Sequence, residues 1–459
     1  MSNVQPYPYD VGVVGIGRVG LPLALSLAAS GLKVVGFDVN PDTVAAVNRK
    51  TMPFIEKGCD ELIRRVEFEA TTDGDRISEA ENLIITVGTP LRHHVEADLS
   101  QLDVVVEQLS RVLTPGQNVI LRSTVAPGTT EFVRRRLEAA TGWKVGKDIF
   151  LSFCPERIAE GKAIEELTTL PQIVGAQDEG SFRRAASVFE RLAPEIFRTD
   201  YVSAELVKLF NNVSRYVYFA VANQLAVTAE QFGASIYDVL EMANRGYPRK
   251  IHGLPGFTAG TCLRKDFGML NEANPYSDLF LNAWKINESM PKFLVDRMKA
   301  RVSLHGARIA ILGYTFKQDT DDTRDSLVPK LYRYLKREVP AEIRIHEPFL
   351  PRIVEDRWND LRFENRTMED AVAGADAVFV AANHLAFRDG FAEIAATLKE
   401  GAWISDLWNV SGTGRMFYQK AKKERETGEE HPGDGRERVY RLFPSETAGG
   451  QRMPGAGAG

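Results

Sequence analysis

A chain of 459 residues exceeds one ordinary domain and points to two or three. Its 44% hydrophobic and 26% charged residues furnish globular cores, and a net charge of −5 gives no basic field for nucleic acid or anionic membrane. Cys59, Cys154 and Cys262 are too few and odd in number for a disulfide framework and suit a reducing cytoplasm.

The N-terminal stretch lacks the positive region of a signal peptide, and no run reaches ~18 uninterrupted apolar residues, so a cytoplasmic protein without a membrane partner is expected. The seven histidines, the adjacent His93 and His94 included, show no metal-ligand spacing.

Short apolar runs at 11–17, 33–38, 82–88, 118–124, 148–153 and 171–176 predict buried parallel strands. Amphipathic segments at 20–30, 41–49, 99–113 and 128–140 alternate with them, which predicts a doubly wound α/β domain over residues 1–200. The first run leads into G-x-G-x-x-G at Gly15, Gly17 and Gly20, and Asp38 tips the next strand. Gly15 permits a tight turn, Gly17 the approach of a pyrophosphate, and Gly20 close helix packing. The helix N-terminus offers its free N–H groups to phosphates, and Asp38 would accept from ribose hydroxyls, favouring NAD over NADP.

Further along, "RSTVAPGTT" sets Ser123 and Thr124 at a strand end, where open α/β sheets bind ligand. "FCPERIAEG" carries Glu156 and Glu160, which share a face if the segment is helical. Cys154 stands beside a proline at a strand end, and Cys59 reads as part of a surface loop. Residues 201–300 hold helical periodicity without Pro or Gly up to Gly233, which predicts a long spine and a dimer contact. Lys208 and Asn212 sit four apart in this apolar stretch, where unpaired polar groups are costly. Taken singly, these pairs also fit helix caps or solvated faces.

Cys262 stands among Arg264, Lys265 and Asp266, a setting for a reactive thiol rather than a packed one. Strand patterns at 307–312, 342–348, 376–384 and 403–409 repeat the opening order over 301–445 without the glycine turn. A second α/β domain binding something other than a dinucleotide is expected there. The fold class is therefore α/β, with two doubly wound (Rossmann-like) parallel-sheet domains joined by a long helical spine. Residues 422–438 read as a solvated loop and 446–459 as a disordered tail.

The motifs "GIGRVGLPLA", "TVGTP", "STVAPGTT", "CPERIAEG", "LVKLFNN", "GTCLRKD" and "GYTFKQDTDDTRDS", in this order between about residues 11 and 410, make the chain resemble the nucleotide-sugar 6-dehydrogenases. The resemblance implies an NAD-dependent four-electron oxidation at carbon 6 of a nucleotide-diphosphate hexose. Cys262 adds to the first aldehyde as a thiohemiacetal, a second NAD oxidises this to a thioester, and water releases the uronic acid. By resemblance Lys208 and Asn212 are oxyanion donors and substrate contacts, Asp266 with Thr124 handles a water or proton, and Glu160 is the general base of hydrolysis. Glu156, Gly260 and Lys317 match substrate-binding positions, Thr89, Thr124 and Arg324 cofactor-binding ones. Arg249 matches an arginine that reaches a neighbouring subunit.

Glucose-type members read "PEF" where this chain has "PER", the form of members acting on 2-acetamido sugars. Thr261, Lys265, Asp266 and Glu160 favour the glucose type, so the balance leans to a glucose-type hexose on UDP or dTDP. A UDP-2-acetamido-hexose is the alternative, and Arg264 stands where the glucose branch often has proline, with no part assigned. Two other readings are a two-electron β-hydroxyacid-type dehydrogenase, which needs no thiol, and a non-catalytic NAD-binding protein, which leaves Cys262, Lys208 and Asn212 without purpose.

Overall fold

Strands buried on both faces are uniformly apolar, and such strands pair in parallel with helices covering both sides. The computed structural model describes residues 7–89, 98–249, 252–258, 260–273 and 278–421. His93, His94, the side chain of Thr261, the loop 422–438 and the tail 446–459 lie outside the described residues.

The first sheet contains β1 (Tyr9–Val14), β2 (Val34–Phe37), β3 (Glu69–Thr71), β4 (Ala80–Ile85), β5 (Asn118–Leu121), β6 (Phe150–Phe153), β7 (Gln172–Gly175) and β8 (Ile196–Thr199). Their order is β3-β2-β1-β4-β5-β6-β7-β8, so the winding reverses between β1 and β4, where open sheets form a ligand crevice at their carboxyl ends. Val11 lies opposite Val34 on one side and Asn82 on the other. The expectation that every strand is parallel fails at β7, which runs antiparallel to β6 and parallel to β8. The connection from β6 to β7 is mostly irregular, its one helix being the 7-residue Ala163–Thr169.

The second sheet comes from β9 (Arg308–Leu312) and β10 (Glu342–His346), then, after a hairpin of β11 (Ile353–Asp356) and β12 (Leu361–Glu364), from β13 (Ala377–Val380), β14 (Trp403–Asp406) and β15 (Phe417–Gln419). The order is β10-β9-β13-β14-β15, parallel except for the last pair. The sequence pattern missed β3, β8, β15 and the hairpin, all short and carrying polar or charged residues, as in "IFRT".

Between the sheets runs the spine helix Tyr201–Gln231, 31 residues long, opened by Asp200, whose carboxylate accepts the Ser203 N–H. It packs against the helices Thr261–Ala273 and Asp278–Lys299. Leu209, Val213 and Tyr216 are buried there with Phe267 and Leu270, each such side chain contributing roughly 1.5–3 kcal/mol. These partners cover much of the apolar length, and among the large apolar side chains that stay exposed are Val202 near its start and Phe210, Tyr218 and Val221 further along. No helix among the described residues is long and apolar enough to cross a membrane.

Cys59 corrects the sequence reading. It opens the helix Cys59–Arg65, is fully buried in the first core, and burial pushes its thiol up to about 12. Cys154 is buried as well, with its thiol likewise pushed up to about 12 by burial.

Candidate active site

β1 delivers the chain into the glycine turn and then the helix Gly20–Ala29. Gly15 adopts φ +91°, and a Cβ on Gly20 would stand 1.9 Å from the Gly15 carbonyl oxygen, so only hydrogen lets this helix close on its turn. Gly17 faces open space, where backbone is free to meet a pyrophosphate. Asp38 accepts the Ile16 N–H at 3.0 Å on one oxygen and the Asn40 N–H at 2.9 Å on the other. Each oxygen keeps a lone pair for a ribose hydroxyl. These residues fit a dinucleotide.

The carboxyl ends of β4 and β5 reach the same crevice. Ser123 turns inward to the Val87 carbonyl (2.7 Å), while Thr89 donates to the Thr124 carbonyl (2.6 Å) and accepts from Lys265 Nζ (3.0 Å). Lys265 therefore joins the cofactor crevice to the helix Thr261–Ala273, whose second residue is the exposed Cys262. The position opens on solvent rather than being sealed from water, and it lies within electrostatic range of the Arg324 guanidinium.

Two turns of chemistry surround the thiol. Asp266 is fully buried, its Oδ2 accepting from Asn212 Nδ2 at 2.6 Å and its Oδ1 standing 3.5 Å from Lys265 Nζ. Lys208 and Asn212 are both 7% exposed on one face of the spine, as their spacing required. Gly260, at φ +93°, donates its N–H to the Asp325 carbonyl (3.2 Å), and a Cβ there would lie 2.5 Å from the Phe316 ring. Arg264 pairs with Asp325 at 3.2 Å and with Glu288 at 3.6 Å. Its part, unassigned by motif, is to fasten the thiol helix to the second domain.

In that second domain the acid after β10, Glu347, is the counterpart of Asp38 but is sealed. Its Oε2 accepts the N–H groups of Tyr314 (2.7 Å) and Thr315 (3.1 Å) and bonds His384 Nε2 (3.0 Å). The Asp319 N–H donates to His384 Nδ1 at 2.9 Å, so Nε2 carries the hydrogen toward Glu347. Burial works to raise the Glu347 pKa, yet His384 and the backbone donors outweigh it and hold the carboxyl below the usual range. An acid so enclosed is not available to a ribose, which gives the physical reason for a ligand other than a dinucleotide.

The segment after β6 also departs from expectation. Residues 154–160 are not helical, because Pro155 favours an extended predecessor and Gly161 turns at φ +82°. Glu156 and Glu160 therefore share no helix face. Glu156 is buried against Arg122 (2.7 Å) and accepts the N–H groups of Arg157 (2.6 Å) and Ile158 (2.8 Å). Its oxygens are spent holding the loop, which argues against the sugar-lining part given it. Arg157 bonds the Pro171 carbonyl.

Glu160 alone faces the second domain: Oε1 accepts from Arg18 (2.6 Å) and Thr320 Oγ1 (2.7 Å), and its carbonyl accepts from Lys317 Nζ. Burial raises the Glu160 pKa, opposed by Arg18. Burial lowers that of Lys317, opposed by Glu160 and Glu56. Arg324 grips Asp322 through Nε and Nη2 (2.9 and 2.7 Å). Arg249 is not brought here; it is exposed and lies over the Tyr247 ring at 4.8 Å.

Sequence reasoning missed Arg18, Asp325 and Glu205. Glu205 accepts the Gly128 N–H (2.6 Å) and both the N–H (2.8 Å) and hydroxyl (2.6 Å) of Thr130, tying the spine to the turn beyond Thr124. Arg18 and Asp325 stand inside quoted motifs, but the partners of all three residues are distant in sequence, so spacing gives them no part.

A turn shaped for a dinucleotide, set across a cleft from a second sheet that has closed off its own acid, describes a dehydrogenase that takes NAD together with a different nucleotide-linked molecule. Family profiles agree over most of the chain. Residues 9–193 match the NAD binding domain of the UDP-glucose/GDP-mannose dehydrogenase family, 202–289 its central domain and 310–413 its UDP binding domain. The chain belongs to this family and is an NAD-dependent nucleotide-sugar dehydrogenase.

It is 34% identical over 391 residues to the UDP-N-acetyl-D-mannosamine dehydrogenase of Pyrococcus horikoshii, covering 82% of this chain and 90% of that one. It is 30% identical over 393 residues to a UDP-glucose 6-dehydrogenase of Haloferax volcanii, covering 81% and 90%. The solved UDP-D-ManNAc dehydrogenase structure from Pyrococcus horikoshii superposes with a TM-score of 0.77 at 32% identity, covering 85% of this chain and 93% of that one.

Proposed function

We propose that the chain oxidises carbon 6 of a UDP-linked 2-acetamido-hexose to the uronic acid in two NAD-dependent steps through Cys262. The observation that carries this reading is an exposed thiol at the head of a helix whose next residues are bonded to the cofactor crevice on one side and the second domain on the other. The glycine turn, Asp38 and Thr89 would hold NAD, which would supply the hydride acceptor for both oxidations.

The protein's own residues do the rest. The Lys208 ammonium and the Asn212 amide, the latter aimed by Asp266, stabilise the oxygen on which charge develops. Cys262 gives up its thiol proton and Sγ bonds to the aldehyde carbon while the aldehyde oxygen takes a proton; loss of that hydroxyl proton together with a second hydride then leaves a thioester. Glu160 takes a proton from the attacking water, the C–S bond breaks, and the thiolate and uronate separate. Thr124 and Asp266 hold a water or proton, while Lys317 and Gly260 shape the side facing the nucleotide sugar and Arg324 the side facing the cofactor.

The branch assignment follows the relatives named for UDP-N-acetyl-D-mannosamine, against the glucose-type lean of the motifs. Lys265, Asp266 and Glu160 keep UDP-glucose as the second reading. A screen of purified protein with NAD against UDP-N-acetylmannosamine, UDP-N-acetylglucosamine, UDP-glucose and dTDP-glucose separates them: turnover of an acetamido substrate is expected, and turnover of UDP-glucose alone would reverse the assignment. A homodimer through Phe210, Tyr218, Val221 and Leu279, bringing Arg249 to the neighbouring subunit, belongs to the same reading.

A further inference from the structure

Arg18 stands inside the glycine turn, between Gly17 and Gly20, yet its side chain serves the far side of the cleft. Nη1 lies 2.6 Å from Glu160 Oε1, Nη2 2.7 Å from Asp321 Oδ1, and Nε 3.6 Å from Asp322 Oδ2. The guanidinium rests on the Phe54 ring at 5.0 Å and is 19% exposed. Each nitrogen of a planar fork thus meets a different carboxylate, a geometry that lysine cannot reproduce. Asp321 is held again by the Ile55 N–H (3.3 Å), and Asp322 by Arg324, which lies within electrostatic range of Cys262. Without Arg18, Glu160, Asp321 and Asp322 would repel one another across the cleft, with Arg324 committed to only one of them.

We propose that Arg18 is a positioning residue that fastens segment 320–322 of the second domain to the cofactor turn and sets Glu160 for the hydrolytic step. The second half of this statement rests on Glu160 acting as general base. Phosphate recognition in such turns uses backbone N–H groups, so this side chain is left free for a separate task. The latch makes the hydrolytic step depend on the second domain being docked.

The test uses the full-length protein with whichever nucleotide sugar it turns over. Arg18→Met keeps a stem to pack on Phe54 and removes the fork; Arg18→Lys keeps charge without the fork. Amide hydrogen exchange of residues 317–325 should rise in Arg18→Met, and intact-protein mass spectrometry should find a Cys262 adduct accumulating. Misplacement of the carboxylate by an ångström should slow thioester hydrolysis about 100-fold. Arg18→Lys should not restore it, and the acid limb of the rate should move to higher pH in Arg18→Met and less in Arg18→Lys, which keeps the charge that opposes burial at Glu160. Asp321→Asn, which removes one arm from the opposite side, should raise exchange in the same segment and serves if Arg18→Met does not fold. Unchanged exchange in 317–325 would overturn the latch. Wild-type thioester hydrolysis in Glu160→Gln would overturn the general-base reading instead, leaving the exchange result to judge the latch alone.

Discussion

Gly260→Ala probes the seam on which the thiol depends. The backbone there has φ +93°, and the new Cβ would fall 2.5 Å from Phe316 Cδ2 and 2.6 Å from Cε2. A left-handed conformation costs a residue with a Cβ ~1–2 kcal/mol. Relieving the collision adds the cost of overpacking, ~1–3 kcal/mol, for a total of ~2–5 kcal/mol. Phe316 belongs to the second domain, so the least costly relief is withdrawal of that domain, breaking the Gly260 N–H bond to the Asp325 carbonyl. Steady-state kinetics should then register a higher KM for the nucleotide sugar and a lower kcat, while the dissociation constant for NAD stays near wild type. Thermal unfolding should fall by roughly 2–4 °C for each kcal/mol. Wild-type KM, kcat and melting temperature in Gly260→Ala would refute the docking argument.

Replacing Asp38 by Ala or Ser should weaken NAD and narrow its advantage over NADP, measured by binding titration with both; a wild-type preference would contradict the ribose contact. Because burial raises the Glu160 pKa and the base works as a carboxylate, uronate formation should fall as pH drops through a value above the ordinary glutamate range. Glu160→Gln should remove that limb and leave a Cys262 adduct in the mass spectrum. His384→Leu removes one donor from the buried Glu347 carboxylate, which keeps its backbone N–H partners, and should cost ~1–3 kcal/mol by denaturant titration near neutral pH. That penalty should shrink at acid pH, where Glu347 is protonated, since a depressed pKa stabilises the fold only above it. Light scattering should find a dimer for the wild type and a monomer for Phe210→Glu combined with Tyr218→Glu.

The parts legible in sequence were those that local chemistry dictates. The glycines and Asp38 act within one strand–turn–helix–strand unit, and Lys208 with Asn212 within one helix, so spacing alone set their relation. The charged neighbours of Cys262 agree with the exposed position the structure gives it, and the absence of a glycine turn foretold a different ligand for the second domain. The structure adds the reason, since Glu347 spends itself on the Tyr314 and Thr315 N–H groups and on His384.

What spacing could not reveal was long-range pairing. Glu160 meets Arg18 across 142 residues, and Arg18 meets Asp321 across 303. Glu156 looked like a site carboxylate because its partner, Arg122, lies on a different strand end. Cys59 looked exposed because a seven-residue helix with four charged positions gives little apolar signal.

The central claim is a covalent bond between Cys262 and the sugar, and one experiment addresses it. Purified enzyme is followed for NADH and uronic acid together, beside Cys262→Ala and Cys262→Ser examined by intact-protein mass spectrometry. The account predicts two NADH for each uronic acid in the wild type, loss of uronic acid in Cys262→Ala, and a stalled adduct in Cys262→Ser, whose oxygen ester hydrolyses more slowly than a thioester. Full uronic acid production by folded Cys262→Ala, or one NADH for each molecule of product, would contradict it.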